Sequence, residues 1–177
     1  MIVDQVQKLE KILKTMLAYI ESPSIRLQPG DLNQVVTKAI DGLRTKLQPS
    51  AFSVKTTLDQ GLDPIKLDLD LLEQTLAHLM EHAWQQMGGK GELEVGTRKN
   101  GAQATVTLSY PAPQLSEEDL EHFFYPFALD APPEKGEPVS DRADVSLAKI
   151  VIHQHGGVIN VSKENAQRIK IIISLPG

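Results

Sequence analysis

The sequence predicts an α+β fold: a two-layer α/β sandwich, one mixed sheet with helices on one face, plus a separate N-terminal helix. Three observations point there. A long amphipathic helix lies mid-chain, short alternating runs bounded by turn residues follow it, and the order of pieces mixes helices and strands throughout.

Residues 2 to 20 carry Ile2, Val6, Leu9, Leu13, Met16 and Ile20 at gaps that alternate four and three, the seam of a dimerising helix. Ile12 and Leu17 widen that stripe, so docking on its own domain is the other reading. Ser22 to Gly30 contains Pro23, Pro29 and Gly30 and reads as a hinge. The expected division is therefore residues 1–28 for helix and hinge and residues 29–177 for the domain. A second helix starts after Asp31 as N-cap, with Gln34 as capping-box partner, and closes at Pro49. Phe52 to Leu58 alternates as a strand, and Ile65 to Leu67 forms a short one.

Asp68 to Met87 is the central helix, with Leu72, Leu76, Leu79, Met80, Ala83 and Met87 on its apolar face. Beside that face His78, Glu81 and His82 fall at i, i+3 and i+4, a spacing that aims them at one common spot. Glu92 to Arg98 and Ala102 to Tyr110 form a hairpin through Asn100-Gly101. Asp119 to Phe127 reads as a short helical turn, and residues 128 to 145 as a long, proline-broken acidic loop. Val145 to His155 returns to helix and stops at Gly156, where the helix dipole favours charge on His153 and His155. Val158 to Lys163 and Arg168 to Leu175 close the chain as a hairpin.

With 177 residues, a formal net charge of −5 and no basic block, the chain has no electrostatic footprint for nucleic acid. It contains no cysteine, which removes disulfide and thiolate chemistry. No stretch approaches the ~18 apolar residues of a membrane span. The amino-terminal stretch is too charged for a signal peptide, so a cytoplasmic location is expected.

Four stretches in order resemble the catalytic and ATP-binding domain of sensor histidine kinases, within the gyrase, chaperone and mismatch-repair ATPase superfamily. RLQPGDLNQVVTKAIDGL is similar to the entry into that domain, and DLLEQTLAHLMEHA has the frame of its N box. EEDLEHFFYPF is close to the F box, with Phe124 and Phe127 at its phenylalanines. SLAKIVIHQHGGVINVS resembles the helix and strand after the last glycine box. The resemblance covers about residues 29 to 177 and implies the histidine-kinase-type ATPase fold. Residues 1 to 21 then resemble the second helix of a kinase dimerisation hairpin, which implies a homodimer. A response regulator or phosphotransfer protein is the further partner it implies, and ATP with Mg²⁺ the cofactor if the family function is retained.

The implied nucleotide site is altered at each motif. His78 and His82 stand where the family has two asparagines, the second of which holds Mg²⁺, and Gln85 replaces a basic residue. Tyr110, Pro111, Ala112, Pro113 and Gln114 match the DxGxG loop, without its aspartate or its glycines. Arg142, Ala143, Asp144, Val145, Ser146 and Leu147 match the GxGLGL turn that cradles phosphates. Every glycine there has become a residue with a Cβ, and Asp144 adds negative charge. The expectation is a degenerate pocket with weak or no ATP binding and no cofactor. No histidine lies in residues 1 to 30 to accept a phosphoryl group, so the chain is expected not to autophosphorylate by itself. A fragment or shortened relative of a longer signalling protein fits that.

His78, Glu81 and His82 also spell H-x-x-E-H, the zinc motif of inverted zincin peptidases. A third ligand should be a downstream carboxylate on a helix, whereas Glu134, Glu137 and Glu164 fall in loop or strand. Three readings therefore stand: a vestigial pocket with neutral histidines, metal binding by His78 and His82, or a retained ATP site with His82 at Mg²⁺.

Overall fold

The computed structural model describes residues 2–7, 9–10, 25–47, 53–124 and 145–177. Residues 2–7 and 9–10 are helical (α1), with Ile2, Val3, Val6 and Leu9 exposed. Leu13, Met16 and Ile20 lie outside the described residues.

Gln28–Gly30, expected to belong to a hinge, is instead a strand, β1, paired antiparallel with β3 (Ile65–Leu67) in a small sheet of its own. Pro29 takes the middle place opposite Lys66, in a pairing short enough to tolerate its missing N–H. Gly30 is a packing glycine as well as a helix breaker, since a Cβ there would come within 2.6 Å of Leu69 Cδ2. The strand Ile65–Leu67 therefore stands apart from the main sheet.

Helix α2 (Leu32–Lys46) starts on Asp31, whose Oδ1 accepts the Asn33 and Gln34 amides at 2.9 and 3.4 Å. It buries Leu32, Val35, Val36, Ala39, Ile40 and Leu43. Helix α3 (Leu69–Gln86) is capped by Asp68 through the Leu71 amide and buries Leu72, Leu76, Leu79, Met80 and Ala83. It packs between α2 and α5 (Ser146–Gln154).

The main sheet runs β2 (Ser53–Thr57), β4 (Glu92–Asn100), β5 (Gln103–Pro111), β7 (Arg168–Pro176), β6 (Val158–Lys163), with β2 parallel to β4 and the other pairs antiparallel. In the β4–β5 hairpin Asn100 pairs with Gln103, so the turn centres on Gly101 and Ala102, one residue later than expected. Gly101 supplies the positive φ, +62°, that both tight hairpin turns need at their first central residue. One sheet face carries Leu93, Val95, Val106, Leu108, Ile169, Ile171 and Ile173 into a core shared with α2, α3 and α5. The opposite face is polar, and a single register row across it reads Lys55, Glu94, Ser109, Lys170.

Helix α4 (Glu117–Glu121) begins two residues earlier than expected, because Ser116 and Asp119 form a capping box. Ser116 N–H and the Asp119 carboxylate meet at 2.8 Å, and Asp119 N–H donates to Ser116 Oγ at 3.1 Å.

Candidate functional site

The sequence places the candidate chemistry on the C-terminal half of α3, the loop after β5, and the segments around α4 and the start of α5. On α3 the expected convergence of His78, Glu81 and His82 does not occur. His78 is exposed, Glu81 turns to α2 and His82 is buried. Each residue advances a helix by about 100°, so Glu81 and His82 diverge although both lie near His78. Lys46 Nζ donates to both carboxylate oxygens of Glu81, at 2.9 and 3.1 Å. His82 meets Phe123 edge to face, with centroids 5.4 Å apart at 87°. Among the described residues no three His, Cys, Asp or Glu side chains are grouped to hold a metal ion. A zinc peptidase would need Glu81 as its base, and here that carboxylate is committed to a lysine.

Tyr110 ends the apolar row of β5 opposite Ile169 and is fully buried. Among the described residues its hydroxyl has no hydrogen-bond partner, and burial pushes the phenol well above its usual range. Beyond it Ala112 is buried, with its amide donating to Gln167 O at 2.9 Å. The Leu115 amide returns to Ala112 O at 3.2 Å, closing a tight loop. Gln114 then reaches back to α3, its Nε2 donating to Gln86 O at 3.1 Å and Gln86 Oε1 at 3.3 Å. Gln85 is exposed on the last turn of α3.

Phe123 is buried and Phe124 half-buried, the two rings edge to face at 5.0 Å. Ser146 opens α5 and is buried beside Val145, which offers no side-chain cap. Phe127, Arg142 and Asp144 lie outside the described residues. The structure thus brings His82 to Phe123 and Gln114 to Gln86, around the C-terminal turns of α3.

Phe123 and Gln86 were not among the candidates read from the sequence. Phe123 stands next to the F-box phenylalanine, and an apolar residue three positions after the buried Leu120 was the signal for it. His155 has a structural place. Its Nδ1 donates to Val151 O at 2.8 Å and its Nε2 accepts the Asp68 amide at 3.1 Å, so the ring bridges two helices as a neutral tautomer. His153 is exposed.

No family model matches the chain. The sensor histidine kinase ZraS of Salmonella typhimurium is 23% identical over 175 residues, covering 97% of this chain and 36% of that protein. The sensor protein CutS of Streptomyces coelicolor is 23% identical over 162 residues, covering 91% of this chain and 39% of CutS. The chain therefore spans little more than a third of the length of these relatives. Among solved structures, the catalytic domain of histidine kinase ThkA superposes with a TM-score of 0.70 at 18% identity, covering 86% of this chain and 96% of that domain. Histidine kinase ThkA in complex with the response regulator TrrA gives a TM-score of 0.74 at 19% identity, covering 99% of this chain and 49% of that one.

Proposed function

We infer that this chain, which has sensor histidine kinases as its relatives and their catalytic domain as its fold, is a degenerate ATPase domain acting as a regulatory or structural module of two-component signal transduction. Tyr110 carries this reading. The resemblance puts at that position an aspartate that accepts the adenine amino group, and a tyrosine buried to 0% exposure stands there instead.

Loss of one such hydrogen bond, with a group left unpaired, costs roughly 1–3 kcal/mol. The absent glycines of the Arg142–Leu147 turn and the charge of Asp144 add penalties of similar order. A micromolar nucleotide site is worth only about 8 kcal/mol, so these losses remove most of it. On this reading the chain takes no cofactor and has no kinase activity alone.

The exposed Ile2, Val6 and Leu9 on α1 support a homodimer formed through residues 1–21. A response regulator or phosphotransfer protein is the partner class in keeping with the fold. Among the described residues no helix is long and apolar enough to cross a membrane, and a cytoplasmic site of action suits such a module.

Thermal unfolding with and without Mg²⁺ and ATP tests the proposal. A ligand at a hundred times its Kd adds about 2.7 kcal/mol, which would raise Tm by roughly 5–11 °C in a chain of this size. The expected result is no such shift at millimolar ATP. A shift of that size would show that the chain binds nucleotide and would favour instead a retained ATP-binding domain, the reading that puts His82 at Mg²⁺.

A further inference from the structure

We infer that the polar face of the sheet holds a second binding site, a hollow over Gly96 that takes a small zwitterion of the α-amino-acid class. The site lies on the face away from the helices, so it does not depend on the fate of the nucleotide pocket.

The strand register builds it. The row Lys55, Glu94, Ser109, Lys170 runs beside a second row, Thr57, Gly96, Thr107, Ile172. Beside Gly96 the two rows border a solvent-open hollow of about 170 Å³, lined by Lys55, Thr57, Glu94, Thr107, Ser109, Lys170 and Glu164. Glycine inside a strand is unfavourable and marks a place where something approaches closely. Backbone conformation does not require it here, since Gly96 is not among the glycines with positive φ. A Cβ at this position would sit 3.1 Å from Thr107 Oγ1 and 3.3 Å from Thr57 O, so these two groups close tightly around Gly96 at the edge of the hollow. A cavity of ~150 Å³ accepts benzene, so this volume suits roughly six to ten non-hydrogen atoms.

The charges select the ligand. Glu164 is already satisfied: Ser109 Oγ donates to its Oε2 at 2.6 Å, and Lys170 Nζ stands 3.9 Å from its Oε1. Arg168 Nε donates to Ser109 Oγ at 3.2 Å and locks that arrangement. Lys55 forms no ion pair with any described residue. Glu94 meets Arg168 at 3.7 Å, and its side chain is 44% exposed. Among the described residues, an ammonium without an ion pair and a half-used carboxylate therefore stand on adjacent strands, about 4.8 Å apart at the backbone. An α-amino acid presents the complementary pair two bonds apart, its carboxylate to Lys55 and its ammonium to Glu94. A simple anion would be repelled by Glu94, and a simple cation by Lys55.

The test is an amide-resolved NMR titration of the full chain with glutamate and glycine, with acetate and methylammonium as controls. Saturable shifts are expected at Thr57, Gly96 and Thr107 with the amino acids, with affinity reduced about tenfold in Lys55→Gln. Gly96→Val fills the hollow with a residue that strands favour, and binding should disappear while the remaining spectrum is kept. If that variant does not fold, Lys55→Gln, an exposed change that breaks no ion pair with a described residue, decides alone. No saturable shift up to about 20 mM, an equal response to acetate, or binding unchanged in Lys55→Gln would overturn the proposal.

Discussion

His155 Nε2 accepts the backbone N–H of Asp68 at 3.1 Å, across 87 residues of sequence, and so ties the end of α5 to the start of α3. Asp68 is a junction in its own right: its Oδ1 caps α3 through Leu71, and its Oδ2 accepts the Arg26 amide at 3.1 Å. The segment entering the domain, the central helix α3 and helix α5 thus meet on one residue. Replacing His155 with Ala leaves the Asp68 amide without its acceptor, while the Val151 carbonyl keeps only the backbone N–H of residue 155. The expected loss is about 1–3 kcal/mol in urea unfolding, against less than ~0.5 kcal/mol for His153→Ala on the exposed side.

Two glycines should respond in opposite directions. A Cβ on Gly157 would stand 2.5 Å from Ser174 O and 2.9 Å from Leu175 Cδ2, so Gly157→Ala must move backbone and should cost about 1–3 kcal/mol. Gly42, inside α2, has nothing within 4 Å of its Cβ position, so Gly42→Ala should stabilise by roughly 0.5–1 kcal/mol. Denaturant midpoints of both variants check the pair.

These relationships differ in how far the sequence reveals them. Helix α3 was legible because Asp68 caps it and its leucines repeat at helical spacing, both local signals. The β4–β5 hairpin was legible from Asn100-Gly101 to within one residue, since cross-strand register, not turn composition, sets the final position. β1 was not legible: Pro29 and Gly30 read as breakers, and a three-residue strand exists only through its distant partner Ile65–Leu67. The divergence of His78, Glu81 and His82 was hidden for a similar reason. Spacing puts them near one face, but Lys46 on α2 and Phe123 after α4 decide where each goes.

Tyr110→Phe should stabilise the fold. The hydroxyl is buried and has no partner among the described residues, so its removal relieves a desolvation penalty of about 1–3 kcal/mol. Tyr110→Asp, which restores the residue type of the family motif, should destabilise the chain by burying a carboxylate. Thermal melts at neutral pH distinguish the two.

Acid sensitivity should track Asp59 and Asp119. The Lys99 and Gly61 amides hold the Asp59 carboxyl below its ordinary value, and the Ser116 amide and hydroxyl do the same for Asp119. A carboxylate with a lowered folded pKa contributes stability that is present above the unfolded value, 3.8, and is lost as pH falls through the folded one. Stability should therefore drop below pH 3.8, and Asp59→Asn and Asp119→Asn should each flatten that limb of a urea-midpoint profile. Both residues are half-buried with their carboxyls at the surface, so the change should be small.

The helix seam predicts a dimer in solution. Light scattering should give twice the 19.5 kDa chain mass, falling to the monomer in Val6→Glu with Leu9→Glu. A monomer for the unmodified chain at high concentration would remove the assignment.

Direct titration of the chain with a fluorescent ATP analogue in the presence of Mg²⁺ addresses the nucleotide site itself. On the proposed reading, in which the buried Tyr110 replaces the adenine-accepting aspartate, no saturable binding is expected below the millimolar range. Saturable micromolar binding, displaced by unlabelled ATP, would contradict a degenerate site and show that the pocket still accepts its nucleotide.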